Sequence, residues 1–191
     1  MPKMGIKSNQ KLFVIGCFII LSGVSNLLVL DRNVLAEELN LDPELSLTIT
    51  PPSGWEEKVI PPGMEGTKII WRKPGGGGYI LIKTETERGI SEGRYSDSES
   101  FARFLMYYWF EQGTKGTKGP IPVSIDNVDW MKLSTETKEP GGVILISDTY
   151  CLFTNGVGIQ IRVMGDKRYW NEITKETEES LKSIHLNLKS Q

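Results

Sequence analysis

The chain has 191 residues, 39% of them hydrophobic and 24% charged, with 22 basic residues against 24 acidic ones and a formal net charge of −2. That length leaves room for one domain with a sizeable core. The charge balance, without any basic cluster, removes the electrostatic basis for binding nucleic acid or anionic lipid.

Lys3, Lys7 and Lys11 precede an apolar run over residues 12–30 that is broken only by Gly16, Ser22, Gly23, Ser25 and Asn26. This is the pattern of a secretory signal peptide. Asp31, Arg32 and Asn33 form a polar collar, and Val34-Leu35-Ala36 offers the small-residue site that signal peptidase prefers. Cleavage between Ala36 and Glu37 is therefore expected, with residues 1–36 as the signal peptide. An uncleaved anchor is the rival fate, since roughly nineteen residues just span a bilayer at about 1.5 Å per residue. The basic flank leaves the domain extracytoplasmic, periplasmic or secreted, in either case. Val14-Ile15-Gly16-Cys17 also resembles a lipobox with Cys17 as the lipidated residue, but the apolar run continues past the cysteine, where a lipobox should close it. Membrane contact is thus expected only through this N-terminal segment.

Removal of residues 1–36 leaves a chain of about 155 residues with a net charge of about −5. Cys151 is then alone, so no intramolecular disulfide can form. Its place between Tyr150 and Leu152 in an apolar run reads as a small buried core residue.

Residues 37–44 are polar and read as a flexible lead-in to a domain over residues 45–188. Leu45, Leu47 and Ile49 alternate with Ser46, Thr48 and Thr50, the period of a half-buried strand, and Pro51-Pro52 stops it. Residues 67–73 and 79–83 read as two strands joined by a flexible tip at Pro74 and glycines 75–78. A phosphate-binding loop is refused there because a strand, not a helix, follows the glycines. The same argument makes Lys115 and Lys118, in the repeated Gly-Thr-Lys, loop lysines. Glu85, Glu87 and Glu92 read as solvated strand or loop carboxylates.

Ser96 and Glu99 have the spacing of a capping box, and Phe101, Phe104, Leu105, Tyr108 and Trp109 follow as one helical stripe. That stripe predicts a helix packed on a sheet, with Gly113 just past its end. Met106, Tyr107 and Phe110 lie off its centre and mark a candidate contact flank. Residues 121–125 and 128–135 pair around Asp126-Asn127. The longest apolar run of the mature chain, residues 142–164, reads as a long hairpin about the Asn155-Gly156 turn, the strongest short-range hairpin signal in the sequence. Trp170, Ile173, Thr177, Leu181 and Ile184 then give a second core-facing helix, and residues 185–188 a short last strand. Asp126, Asp129 and Asp148 lack the spacing of a calcium loop, and the single histidine, His185, cannot make a typical metal site or a catalytic triad by itself.

Several local signatures occur together: Pro52-Ser53-Gly54-Trp55 closing a strand, Ser98-Glu99-Ser100-Phe101 opening a helix, Asp126-Asn127-Val128-Asp129-Trp130 at a turn, and Ser183-Ile184-His185-Leu186 after the last helix. In this order they resemble the PsbP-like fold, which is shared by the extrinsic P subunit of photosystem II, a Ran-binding nuclear import factor and many exported bacterial proteins. The resemblance covers roughly residues 45–188 and implies an α+β domain, an antiparallel β-sheet with helices packed on both faces in an α/β/α sandwich. It carries over no site residue and no cofactor.

The expected function is an exported, non-enzymatic binding or assembly domain at the cell envelope that meets an envelope protein, with Tyr107, Phe110, Lys115 and Lys118 as the candidate partner surface. The alternative is a small-ligand carrier whose pocket between helix and sheet is lined by Trp55, Trp71, Trp109 and Trp130. A hydrolase built on Glu85, Glu87 or Asp148 is the weakest of the three.

Overall fold

The structure, a computed structural model, describes residues 35–85, 95–111, 114 and 116–188, all within the unit Asn33–Gln191. Residues 1–34 with Cys17, and also Glu87, Glu92, Gly113 and Lys115, lie outside the described residues. In chain order the elements are β1 (Glu37–Asp42), β2 (Leu45–Ile49), β3 (Glu56–Glu57), β4 (Thr67–Arg72), β5 (Gly78–Glu85), α1 (Ser98–Glu111), β6 (Lys118–Ile125), β7 (Val128–Lys138), β8 (Ile144–Thr154), β9 (Val157–Asp166), α2 (Trp170–Lys182) and β10 (His185–Leu188). Among the described residues the strands form two antiparallel sheets. The larger runs β3-β4-β5-β9-β8-β7-β6, and the smaller runs β1-β2-β10.

The hairpin read from residues 142–164 lies at the centre of the larger sheet as β8 and β9, paired from Leu145↔Asp166 to Thr154↔Val157. Asn155 and Gly156 sit at φ 50° and 73°, the pair of positive values that a type I′ turn requires, and Asp126 and Asn127 do the same at 53° and 58° between β6 and β7. β9 is buried on both sides. Val157, Ile159, Ile161 and Val163 point into a core shared with α2 and the smaller sheet. Gly158, Gln160 and Arg162 point the other way, toward α1, because side chains alternate along a strand.

Each helix seats one side chain on a glycine of β9. On one face Phe101 of α1 covers Gly158, where a Cβ would come within 2.7 Å of the ring. On the other, Ile173 of α2 covers Gly165, where a Cβ would overlap both Ile173 Cδ1 and the Gly77 carbonyl oxygen. Phe101, Ala102 and Leu105 bury α1 against Leu133 and Cys151. Ile173, Thr177 and Ser180 bury α2. Helices therefore pack on both faces of the antiparallel sheet, and the molecule is the expected α+β sandwich.

Four local expectations are corrected. Residues 37–42 are not a loose lead-in: Leu39 and Leu41 alternate with polar residues, and β1 pairs with β2 from Glu37↔Ile49 to Asp42↔Leu45. β2 is not half-buried, because Ser46 is buried as well, with its Oγ donating to Glu38 Oε1 at 2.7 Å. α1 is capped one residue later than expected. Asp97 Oδ1 accepts from the Ser100 N–H at 2.7 Å while Ser100 Oγ accepts from the Asp97 N–H at 3.1 Å, and Glu99 turns instead to Arg103, 2.6 Å away. Lys118 begins β6 instead of lying in a loop. This strand is an edge of the larger sheet and carries Pro120 and Pro122, residues that an edge tolerates because its outer amides need no partner.

Adding a methyl group at either contact glycine of β9 overpacks a helix seat. Gly158→Ala and Gly165→Ala should each lower the unfolding free energy by about 1–3 kcal/mol, measured by urea denaturation at constant m-value.

Candidate functional site

Helix α1 separates two recesses. On its outer flank Tyr107 and Phe110 are 62% and 69% exposed, although the opposite side of the same helix is fully buried. With Arg103, Met106, Thr114 and Thr117 they line an open recess of about 400 Å³. Glu111 lies beside the Tyr107 hydroxyl, and the carboxylate holds the phenol above its ordinary pKa. Lys118 follows Thr117 directly and is exposed at the start of β6. Two of the four residues proposed from sequence, Tyr107 and Phe110, thus line one recess; Lys118 is not part of its lining, and Lys115 lies outside the described residues.

The second recess, about 630 Å³, lies between α1 and the sheet. Its wall is Phe104, Tyr108 and Trp109 from the helix. Its floor is Leu81, Lys83 and Glu85 from β5 with Gln160 and Arg162 from β9. Polar side chains reach this floor because β5 and β9 are adjacent and in register, Lys83 opposite Gln160 and Leu81 opposite Arg162. Glu85 is held twice, by Lys83 Nζ at 2.7 Å and by Gln160 Nε2 at 3.1 Å. Arg162 lies under the Trp109 ring, its Cζ 4.7 Å from the centroid, in a cation–π contact. Its Nε donates to Ser147 Oγ at 3.3 Å, and burial holds the guanidinium below its ordinary pKa. Nearby, Cys151 is fully buried, and burial pushes its thiol up to about 12.

No protein-family model matches the sequence, and no curated protein matches it significantly. Solved structures do match it. LpqN, described as involved in cell envelope biogenesis of Mycobacterium tuberculosis, superposes with a TM-score of 0.51 at 12% identity, over 82% of this chain and 93% of its own. Cyanobacterial PsbP (CyanoP) from Synechocystis sp. PCC 6803 superposes with a TM-score of 0.51 at 10% identity, over 87% of this chain and 99% of its own. The chain has the PsbP-like fold. A longer chain from Bacteroides thetaiotaomicron matches at a TM-score of 0.49 and 16% identity, over 81% of this chain, which spans about half (49%) of its length.

Within this PsbP-like domain the resemblance motifs do structural work. Pro52-Ser53-Gly54-Trp55 closes a turn with the Trp55 N–H donating to the Pro52 carbonyl at 3.1 Å and Gly54 at φ 76°, a left-handed value suited to glycine. The four tryptophans do not gather in one pocket. Trp71 and Trp130 are fully buried in the core on the α2 side, Trp55 donates from its indole to Glu176 at 2.9 Å, and only Trp109 borders a recess between helix and sheet. The carboxylates are equally dispersed. Asp148 accepts from Ser134 Oγ at 2.6 Å and pairs with Lys132 at 2.7 Å, while Asp126 lies 2.6 Å from His185 Nδ1. Among the described residues no three His, Cys, Asp or Glu side chains converge on a metal position. The glycine tip is pinned to α2 through Lys73, which pairs with Glu172 at 2.7 Å and with Glu176.

Sequence reasoning missed Arg162. The available signal was a lone arginine in the middle of an alternating apolar strand, a position where a charge on a covered face needs a reason.

Burial and a raised thiol pKa together leave Cys151 no reactive thiolate at neutral pH. Iodoacetamide at pH 8 should alkylate it only after denaturation, with peptide mass spectrometry as the readout.

Proposed function

We propose that this chain is an exported, non-enzymatic binding domain that acts at the cell envelope and meets an envelope protein through the outer flank of α1. The observation that carries this reading is the pair Tyr107 and Phe110, two large aromatic side chains exposed side by side on a helix whose other side is fully used by the core. Aromatic anchors of this kind are enriched at protein interfaces. Arg103, paired with Glu99, and Met106 complete the recess beside the two aromatic side chains. The extracytoplasmic setting is supported by the signal pattern of residues 1–36, and by a fold shared with a protein described as involved in cell envelope biogenesis. Among the described residues no helix is long and apolar enough to cross a membrane.

A second reading, a small-ligand carrier, is favoured by one observation, the recess between α1 and the sheet that Trp109 overhangs. Its volume lies in the range of about 300–1,000 Å³ typical of small-molecule sites.

Two measurements test the first reading. A photo-crosslinking amino acid at position 110, introduced in the exporting host, should give one discrete adduct with an envelope protein. Tyr107→Glu should suppress that adduct, and the same probe at exposed Lys175 on α2 should not give it. An adduct indifferent to Tyr107, or none at all, refutes the surface. For export, the protein recovered from the host should begin at Glu37 on N-terminal sequencing; an intact residue 1–36 segment or a lipidated Cys17 refutes cleavage there.

A further inference from the structure

Among the described residues Arg162 pairs with no counter-ion. It stands on the α1 side of the central strand, in register with Leu81 on β5 and Thr149 on β8. One of its nitrogens is accounted for, since Nε donates to Ser147 Oγ, which shares a 2.6 Å hydrogen bond with Thr135 Oγ1. Among the described residues the two terminal amino groups meet no acceptor, and no carboxylate pairs with the guanidinium. Of the two carboxylates that line the recess, Glu65 and Glu85, the latter is engaged by Lys83 and Gln160. Beside Arg162 the Thr149 hydroxyl is buried without a hydrogen-bond partner. The guanidinium is half-buried and lines an open recess, where a bound anion would replace water at its terminal amino groups.

We infer that this recess binds a small amphipathic monocarboxylate, whose carboxylate pairs with the terminal amino groups of Arg162 and whose apolar body lies against Trp109, Phe104 and Leu81. Three features select this chemistry. The guanidinium fork matches a planar carboxylate with two parallel hydrogen bonds. Trp109 covers one face of the guanidinium, so hydrogen bonds to a ligand form at its edge. The recess is lined by two carboxylates, Glu65 and Glu85, as well as by Lys83 and Arg162, and these opposing carboxylates suit a singly charged ligand better than a doubly charged one. The aromatic wall and Leu81 give the remainder of the ligand an apolar bed.

This inference gives the second reading its headgroup chemistry and is independent of the first, because the recess and the Tyr107–Phe110 flank are different surfaces of α1.

Octanoate, 1-octanol and octyl phosphate, titrated calorimetrically into the protein purified after export, test it. Octanoate should bind about tenfold or more tighter than octanol, the factor expected for a hydrogen bond to a charged group, and tighter than octyl phosphate at pH 8. Arg162→Gln should reduce octanoate to the affinity of octanol while leaving octanol unchanged, and Phe110→Ala should leave octanoate binding intact. Equal binding of octanoate and octanol, preference for the dianion, retained octanoate affinity in Arg162→Gln, or no octanoate binding at millimolar concentration overturns the inference. The headgroup comparison on the unmodified chain decides even where Arg162→Gln does not fold.

Discussion

One constraint organises this molecule: the central strand β9 must be covered on both faces, and it must let two helices come close enough to do it. Glycines at 158 and 165 meet that requirement from opposite sides, one under Phe101 and the other under Ile173. Their spacing is odd, so the pleat sends the two missing side chains to different faces. The rest of β9 divides the same way. Aliphatic residues fill the side shared with α2 and the smaller sheet, while the α1 side carries the polar Gln160 and Arg162. The sheet's asymmetry follows from that division. One face is a continuous apolar core, and the other is covered in part by a helix and otherwise left with polar side chains at the bottom of a recess.

Helix α1 consequently serves two purposes. Its buried side, Phe101, Ala102 and Leu105, closes the core. Its two flanks then differ in character because of what lies beneath them. One flank overhangs the polar floor of β5 and β9, with Trp109 against Arg162. The other borders Thr114 and Thr117, where Tyr107 and Phe110 are largely exposed. The two candidate surfaces therefore both lie along the margins of one helix, while the central hairpin, including the inert Cys151, holds the scaffold.

Much of the fold was legible in the sequence because it is encoded by local devices. Asn155-Gly156 and Asp126-Asn127 fix their hairpins through backbone conformations that few residue pairs adopt. The stripe from Phe101 to Trp109 and the one from Ile173 to Ile184 announce their helices by period. What was not legible depends on partners far along the chain. Glu37 to Asp42 looks polar in isolation and becomes a strand because β2 pairs with it, and β2 in turn is buried because β10, more than a hundred residues later, closes its other edge. The capping residue was displaced by one position because Asp97, a stronger acceptor than Ser96, stands directly before the first helical residue. At the candidate site the exposed aromatics were visible as residues off the helical stripe. The recess on the other flank was not, since it arises from β5, β9 and α1 converging and from Arg162 having no paired carboxylate among the described residues. No spacing rule records such an absence.

The position of β6 carries a final consequence. It is the edge of the larger sheet nearest the exposed flank of α1, and prolines at 120 and 122 remove two amide donors from it. Backbone pairing by an incoming chain is thereby weakened at this edge. A contact made there would depend the more on side chains, and so on the shape and charge of the surface they present.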